Sequence, residues 1–484
     1  MKLLPVLLIA TALTGYAETR DTGNFNYPVT KKMSNPLFVE FDSPKYKSDS
    51  IGPLYTADAA AHVWHDGRLY IYASHDMEPA QGCDRMDRYH VFSTDDMVNW
   101  TDHGEILNSS QVEWGRPEGG FMWAPDCAYR NGTYYFYFPH PTDTEWWHTW
   151  RIGVATSKDP ASGFTLQGYI EGAPAVIDPC VFIDDDGQAY FYNGGGGQCY
   201  GGKLKENMME LDGEMVPMEG LHDFHEGTWI HKYNGKYYLS HADNNPGSNG
   251  NCLRYAVSDS PLGPWEDKGV YLLPTGCGTS HGSIVNYKGK WYAFYHASNY
   301  SGKWELRTVC VDPLKIDKDG TINLVENWGK PFKKPVTIDG KPVIVEAEDY
   351  NRGGSHYAFH KYDIPAPSAK YRKDDIGIAR HNHGGHYVAA MKGKEWMRYS
   401  TEVKKPGKYN VTLMARTTTP DTKLNISVNG FNYEGQKVLP VTSGNGWTSL
   451  SLPAVTLDAN SRYLDLRVDS GELDIDRIIL TPAL

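Results

Sequence analysis

The chain has 484 residues, 47 Lys and Arg against 59 Asp and Glu, and a formal net charge of −12. That balance excludes the basic footprint a nucleic-acid binder needs, and the length exceeds one ordinary domain. Aromatic residues are abundant, with 33 Tyr and 14 Trp, as in proteins that handle carbohydrate and in β-rich cores.

The chain opens on Lys2 and an apolar run, Leu3-Leu-Pro-Val-Leu-Leu-Ile-Ala-Thr-Ala-Leu13, followed by small residues around Gly15 and Ala17. This is the pattern of a secretory signal, so residues 1–17 are expected to be removed and the protein to work in the periplasm or outside the cell. The run is too short to span a bilayer, and no later segment is long and apolar enough, so no membrane span is expected.

From residue 55 onward one motif recurs, a turn of the form Asp/Asn/Lys-Gly followed by an aromatic strand. It reads Asp66-Gly-Arg-Leu-Tyr-Ile-Tyr, Asn131-Gly-Thr-Tyr-Tyr-Phe-Tyr, Asp186-Gly-Gln-Ala-Tyr-Phe-Tyr, Asn234-Gly-Lys-Tyr-Tyr-Leu and Lys288-Gly-Lys-Trp-Tyr-Ala-Phe-Tyr. Such turns join the strands of a hairpin, where a positive φ is needed. Repetition at intervals of roughly 50–65 residues indicates the blades of a propeller. Ahead of each turn one polar residue stands in an apolar setting: Asp58, Asp126, Asp178, Glu226 and His281. If the upstream strands are the innermost of each blade, these five side chains meet at one end of the central axis. Between the hairpins runs a second repeat that ends in an aromatic residue, as in Ser93 to Trp100, Thr156 to Phe164 and Ser258 to Trp265. Its place is the turn to an outer strand.

The seven cysteines are an odd number with no Cys-x-x-Cys pair, so no disulfide is assigned; Cys127 and Cys180 are expected to be buried thiols. Near Lys333-Lys-Pro-Val-Thr-Ile-Asp-Gly-Lys-Pro342 the sequence turns polar and proline-bearing, and the repeat stops. Beyond it, alternating strands such as Lys408 to Ala415, Leu424 to Val428 and Tyr463 to Val468 indicate a β-sandwich. The expected architecture is all-β: a five-bladed β-propeller over 18–338, then a jelly-roll sandwich over 342–484.

Paired carboxylates on either side of a sugar are what glycosidic hydrolysis requires, one to protonate the leaving oxygen and one to activate water or attack. Asp58, Asp178 and Glu226 supply three, and like-charge repulsion from the third would keep the acid protonated. Spacing alone does not assign their roles, and it leaves open acidic residues that only cap loops or hold an ion.

The motifs Trp123-Ala-Pro-Asp126, Ile177-Asp-Pro-Cys-Val-Phe-Ile-Asp-Asp-Asp-Gly187, Glu226-Gly and His281-Gly-Ser-Ile, in that order, resemble glycoside hydrolase family 43. The resemblance implies a five-bladed propeller that cleaves arabinosyl, xylosyl and some galactosyl linkages with inversion. It makes Asp58 the general base, with Ala59 where Pro is common, Asp178 the pKa-modulating carboxylate and Glu226 the general acid. It further implies Trp123 as a substrate platform, Asp126 as a hydroxyl-binding carboxylate and Arg307 as a contact to the terminal sugar. His281 becomes a ligand of water or an ion, often calcium, in the channel. The tail, through Val345-Glu-Ala-Glu-Asp-Tyr350, Trp396-Met-Arg-Tyr399, Gly444-Asn-Gly-Trp447 and Leu473-Asp-Ile-Asp-Arg477, resembles a carbohydrate-binding module of family 6. That implies a structural calcium on Glu346, Glu348 and Asp476, and a sugar held between Tyr387 and Trp447 beside Asp474, which replaces a common Asn. No cofactor is expected for the chemistry. The expected activity is release of terminal α-L-arabinofuranosyl groups from plant cell-wall polysaccharide, arabinoxylan or arabinan. A β-xylosidase or exo-β-galactanase on the same scaffold is the alternative, and a catalytically silent sugar-binding propeller is the alternative from another class.

Overall fold

The computed structural model describes residues 25–27, 35–38, 41–42, 50–51 and 54–483, except 79–81, 146–147, 245–250, 299, 302, 355–356, 363–370, 375, 418, 431–438 and 442–445. The expected signal, residues 1–17, lies outside the described residues. The described chain is all-β apart from three short 3-10 turns.

Five antiparallel sheets succeed one another along the chain. Their inner strands are Thr56–Val63, Asp126–Arg130, Cys180–Ile183, Phe224–Tyr233 and Ser283–Tyr287. Each inner strand packs on the next and the fifth returns to the first, so the sheets are blades I–V of a closed propeller. The turn motif produces two geometries. In blades II, IV and V it is a two-residue turn, with Asn131, Asn234 and Lys288 at φ 51, 49 and 51 and a glycine at positive φ after each. In blades I and III the loop is longer, and Asp66 and Asp186 accept backbone N–H bonds from Arg68 and Gln188. The second repeat also has a visible task. Tyr72 of blade I donates to the Pro160 carbonyl of blade II, and Tyr192 of blade III donates to the Pro261 carbonyl of blade IV, both at 2.6 Å. A buried hydroxyl thereby gains a partner and neighbouring blades are locked in register. Near the start of the described chain, Leu37 N–H donates to Val309 and Asn35 accepts from Val311 N–H, which fastens the ring across its last blade.

The tail is a sandwich of two six-stranded sheets. Alternating residues of Tyr463–Ser470 and Glu472–Pro482, among them Leu464, Leu466, Ile475 and Ile478, fill the space between them. Val336–Ile338, expected to close the propeller domain, pairs in parallel with Trp396–Val403 of the module. Its alternation Val-Thr-Ile suits an edge strand, and the proline-bearing composition around it hid that. Module and propeller share a small apolar cluster of Cys252, Leu273, Trp328 and Tyr463. Tyr357 of the module also donates to Asp312 of blade V at 3.0 Å. All seven cysteines are free thiols and all but Cys83 are buried.

Candidate active site

Asp58, Asp178 and Glu226 lie where their inner strands begin, at one end of the channel. Asp58 and Asp178 adopt positive φ, 54 and 50, and the pairing of Thr56–Val63 slips between Ala57 and Ala60. The first three residues of Phe224–Tyr233 slip likewise on either side of Glu226. Bulges of this kind re-aim a side chain at the end of a sheet. Here they turn carboxylates that alternation would bury between blades toward the axis.

Asp58 is 5 % exposed. Its carboxylate accepts from Ser74 Oγ at 2.5 Å and from Arg307 Nη1 at 3.3 Å, and its backbone N–H donates to His296 Nδ1 at 3.1 Å. Burial alone would raise this carboxyl, but Arg307, His296, His281 and Ser74 together hold it below its ordinary value. The opposite holds across the mouth. Burial, then the charges of Glu226 and Asp58, push Asp178 well above the usual carboxylate range, even though Gly227 N–H donates to it at 2.7 Å. Burial also raises Glu226; His225, 3.6 Å away, opposes the shift and Asp58 reinforces it. One carboxylate is thus kept ionised and two are biased toward retaining a proton.

The surrounding groups fix that difference. Arg307 is buried, donating to Asp76 through its backbone N–H at 2.6 Å, through Nε at 3.0 Å and through Nη2 at 2.8 Å. Held on that side, it presents Nη1 to Asp58, so its first partner is the candidate base rather than open space for a sugar. His296 places its other ring nitrogen 2.8 Å from the Thr279 carbonyl. With Nδ1 accepting from Asp58, the ring is the neutral Nε2–H tautomer, consistent with burial and the Arg307 charge pushing it down to about 4. His281 Nδ1 stands 3.8 Å from Asp178, and burial lowers its basicity. Trp123 donates from Nε1 to the Cys83 carbonyl at 2.8 Å and lies 4.8 Å from the Trp150 ring at an interplanar angle of 32°.

Asp126 departs from the expected hydroxyl-binding role. It is 1 % exposed, and its two oxygens are engaged by His62 Nε2 and Val181 N–H, each at 2.6 Å. It therefore ties the inner strands of blades I, II and III together. The sequence carried the cue, since Asp58, Asp178 and Glu226 each precede their turn by eight residues, Asp126 by five and His281 by seven. Strand alternation makes such offsets decisive. Asp76, Ser74 and His296 escaped the sequence reading. Their signal is that the second strand of a hairpin ends in polar residues after an aromatic run, which is also true of His140, Asn193 and His241, all buried.

In the tail, Tyr387 and Trp447 are neighbours at 5.1 Å, but at 74°, edge to face rather than as two parallel walls. The His381 ring stands 4.9 Å from each, and the Arg416 guanidinium lies over both. Asp474, expected to meet a sugar, is buried; it accepts from Ala390 N–H at 2.9 Å and pairs with Arg416. Its charge is spent on the module itself because an arginine on the adjacent strand reaches it first.

Among the described residues, no group of three His, Cys, Asp or Glu side chains is arranged to hold a metal. In the channel beside His281, the carboxylates of Asp58 and Asp178 are engaged by Arg307, Ser74 and Gly227. Glu346, Glu348 and Asp476 of the tail are not drawn together around one point either, but they leave a donor unanswered. Glu348 Oε2 is buried without a hydrogen-bond partner, and burial, then Glu346, Asp349 and Asp476, push that carboxyl up to about 7. A hard cation would answer such a cluster, although Asp476 meanwhile accepts from Arg477 at 2.6 Å and sits 2.8 Å from His381.

Against families of known proteins, residues 47–322 match the model for glycosyl hydrolases family 43. Residues 372–479 match the model for carbohydrate binding module family 35. The latter corrects the expected family 6; the short motifs quoted for the tail encode sandwich strands and do not separate one sandwich family from another. A xylosidase/arabinosidase of Bacteroides ovatus is 36 % identical over 56 % of this chain and 95 % of its own length. One of Humicola insolens is 38 % identical over 56 % and 96 %. An arabinoxylan arabinofuranohydrolase of Paenibacillus polymyxa is 30 % identical over 62 % of this chain and 53 % of its own. Among solved structures, a β-xylosidase/α-arabinofuranosidase from a compost metagenome, in complex with xylotriose, is 35 % identical. It aligns with a TM-score of 0.51 over 56 % of this chain and 94 % of its own.

Proposed function

The chain belongs to glycosyl hydrolases family 43, and from that premise we infer that it removes terminal α-L-arabinofuranosyl groups from arabinoxylan or arabinan, with inversion. It is a glycoside hydrolase, and the opposed acidities of the buried Asp58 and Asp178 and the partly buried Glu226 carry the assignment of roles. Asp58, held ionised by Arg307, takes a proton from the attacking water. Glu226, kept protonated, gives its proton to the leaving glycosidic oxygen. Burial and the charge of Asp58 keep Glu226 protonated, and Asp178, which accepts from Gly227 N–H, fixes the strand segment that carries it. Trp123, beside Trp150, offers the aromatic wall against which a terminal sugar would rest.

β-D-Xylosyl release is the second reading, favoured by the xylosidase/arabinosidase names of two relatives matched over 95 % and 96 % of their own length. We further propose that residues 1–17 direct export and that Glu346, Glu348 and Asp476 hold a calcium ion whose chemistry is purely structural. The deciding experiment is product analysis on arabinoxylan, linear arabinan and xylo-oligosaccharides, with NMR of the first-formed anomer. Arabinose released first as the inverted anomer supports the reading; xylose from oligosaccharides alone selects the second; a retained anomer removes Asp58 as a base.

A further inference from the structure

The chain exposes only four large hydrophobic side chains among its described residues, and two of them, Trp304 at 53 % and Tyr362 at 56 %, face one cleft. This cavity of about 450 Å³ separates blade V from the module sheet that carries Trp396–Val403. Trp304 and Tyr300 form the propeller bank, and Tyr362 and Trp396 the module bank. The indole of Trp304 lies so close to the backbone of Gly278 that a Cβ there would come within 3.1 Å of it, so one ring face is backed by main chain while half the side chain stays in water. Four of the charged groups along the cleft are matched in pairs, Arg398 with Asp465 and Arg467 with Asp469, and Lys394 adds a single positive charge. Aromatic faces on both banks, with a hydrogen-bonding fringe whose charges largely cancel, suit stacking of a neutral chain of sugar rings.

The cleft also shares its wall with the active site. The loop 275–280 lines it with Thr275 and Gly276, while the Thr279 carbonyl of the same loop lies 2.8 Å from His296 Nε2. The segment that places Trp304 in the cleft places Arg307 against Asp58 three residues later. Tyr300 stands 6.4 Å from Tyr55, the residue just before the inner strand of blade I that carries Asp58.

We propose that this interdomain cleft binds the backbone of the polysaccharide, a β-1,4-linked chain of neutral pyranose rings, and lays it beside the catalytic mouth so that a side group can enter. The site is separate from the Tyr387–Trp447 edge, which belongs to the other sheet of the module. This rests on the pentosidase reading for its consequence in catalysis, though not for binding itself.

The test uses the full-length protein and its W304A/Y362A variant. Both side chains are half in solvent, and an unchanged Tm and circular dichroism spectrum establishes that the fold persists. Calorimetric titration with xylohexaose and with cellohexaose reads binding directly, and separates a pentose backbone from a hexose one. We expect affinity for one of these, and kcat/KM on arabinoxylan, to fall about tenfold or more, as for loss of central aromatic anchors. Hydrolysis of an aryl α-L-arabinofuranoside should stay within about twofold. Tyr362→Phe, which keeps the ring, should retain most of the affinity. Equal affinity of wild type and double variant, or binding of neither oligosaccharide, overturns the proposal. Inactivity of the wild type on aryl arabinofuranosides would instead sink the pentosidase reading while the titration still decides the cleft.

Discussion

Asp58 at the propeller mouth and Asp474 in the module are both buried carboxylates beside an arginine, yet the two places use that pair differently. At the mouth, Arg307 is itself anchored by Asp76, so only one of its nitrogens reaches Asp58 Oδ1 while Ser74 takes Oδ2, and each oxygen keeps a lone pair to offer water. In the module, two nitrogens of Arg416 converge on one oxygen of Asp474 and the Ala390 N–H takes the other, so the carboxylate is spent on holding adjacent strands. A buried ion pair is therefore not by itself a functional site. What distinguishes the mouth is a third party on the arginine and two further carboxylates whose protons it does not remove.

The comparison can be broken most severely at Glu226. Glu226→Gln should lower turnover of natural, unactivated linkages about 10²–10⁴-fold, the usual worth of general acid catalysis, and far less on aryl glycosides with good leaving groups. Steady-state kinetics on both substrates checks this, and equal losses would count against Glu226 as the acid. Asp58→Asn should cost a similar factor on both substrate types, because water must be activated whatever leaves; a rate near wild type would remove Asp58 from the mechanism.

Asp76→Asn tests the anchoring of Arg307. Removing one partner of a buried pair strands the other charge, so unfolding free energy should fall by about 3 kcal/mol, measured by denaturant titration. The acid-side limb of the pH–rate profile should also shift, as Arg307 is freed to repartner Asp58. In the wild type that profile should be a broadened bell. The base is protonated only when pH falls through a value below the ordinary Asp range, and the acid loses its proton only when pH rises through a value above the ordinary Glu range. A narrow optimum centred near pH 4 would contradict both directions.

The smallest expected effect belongs to the module. Chelation with EDTA should lower the Tm of full-length protein by a few degrees, and added calcium should restore it by mass action. Glu348→Gln should abolish that response. No change in Tm with calcium would show that Glu348 relies on its proton alone.

Much of this was legible before any coordinates. A turn motif of Asn/Asp-Gly and alternating aromatics encodes a hairpin locally, and five copies encode a radial array, because both follow from φ preferences and side-chain period. The three carboxylates were legible for the same reason, each at one fixed distance from its turn. Asp126 misled because its offset of five residues from the turn, against eight for the three acids, went unweighed, and its strand pairs without the slips that re-aim Asp58 and Glu226. The links of Asp76 to Arg307 and of His296 to Asp58 could not be read from spacing, since contacts across 231 and 238 residues exist only once the ring has closed. The same closure set the acidities, as a carboxyl's pKa depends on burial and on charges brought from other blades. The sequence by itself determined the blades, the sandwich and which acids could be catalytic, because those are local and periodic properties. The tertiary structure decided which acid is ionised, which is spent on the scaffold and where a cleft opens between the domains, because those depend on groups that meet only in space.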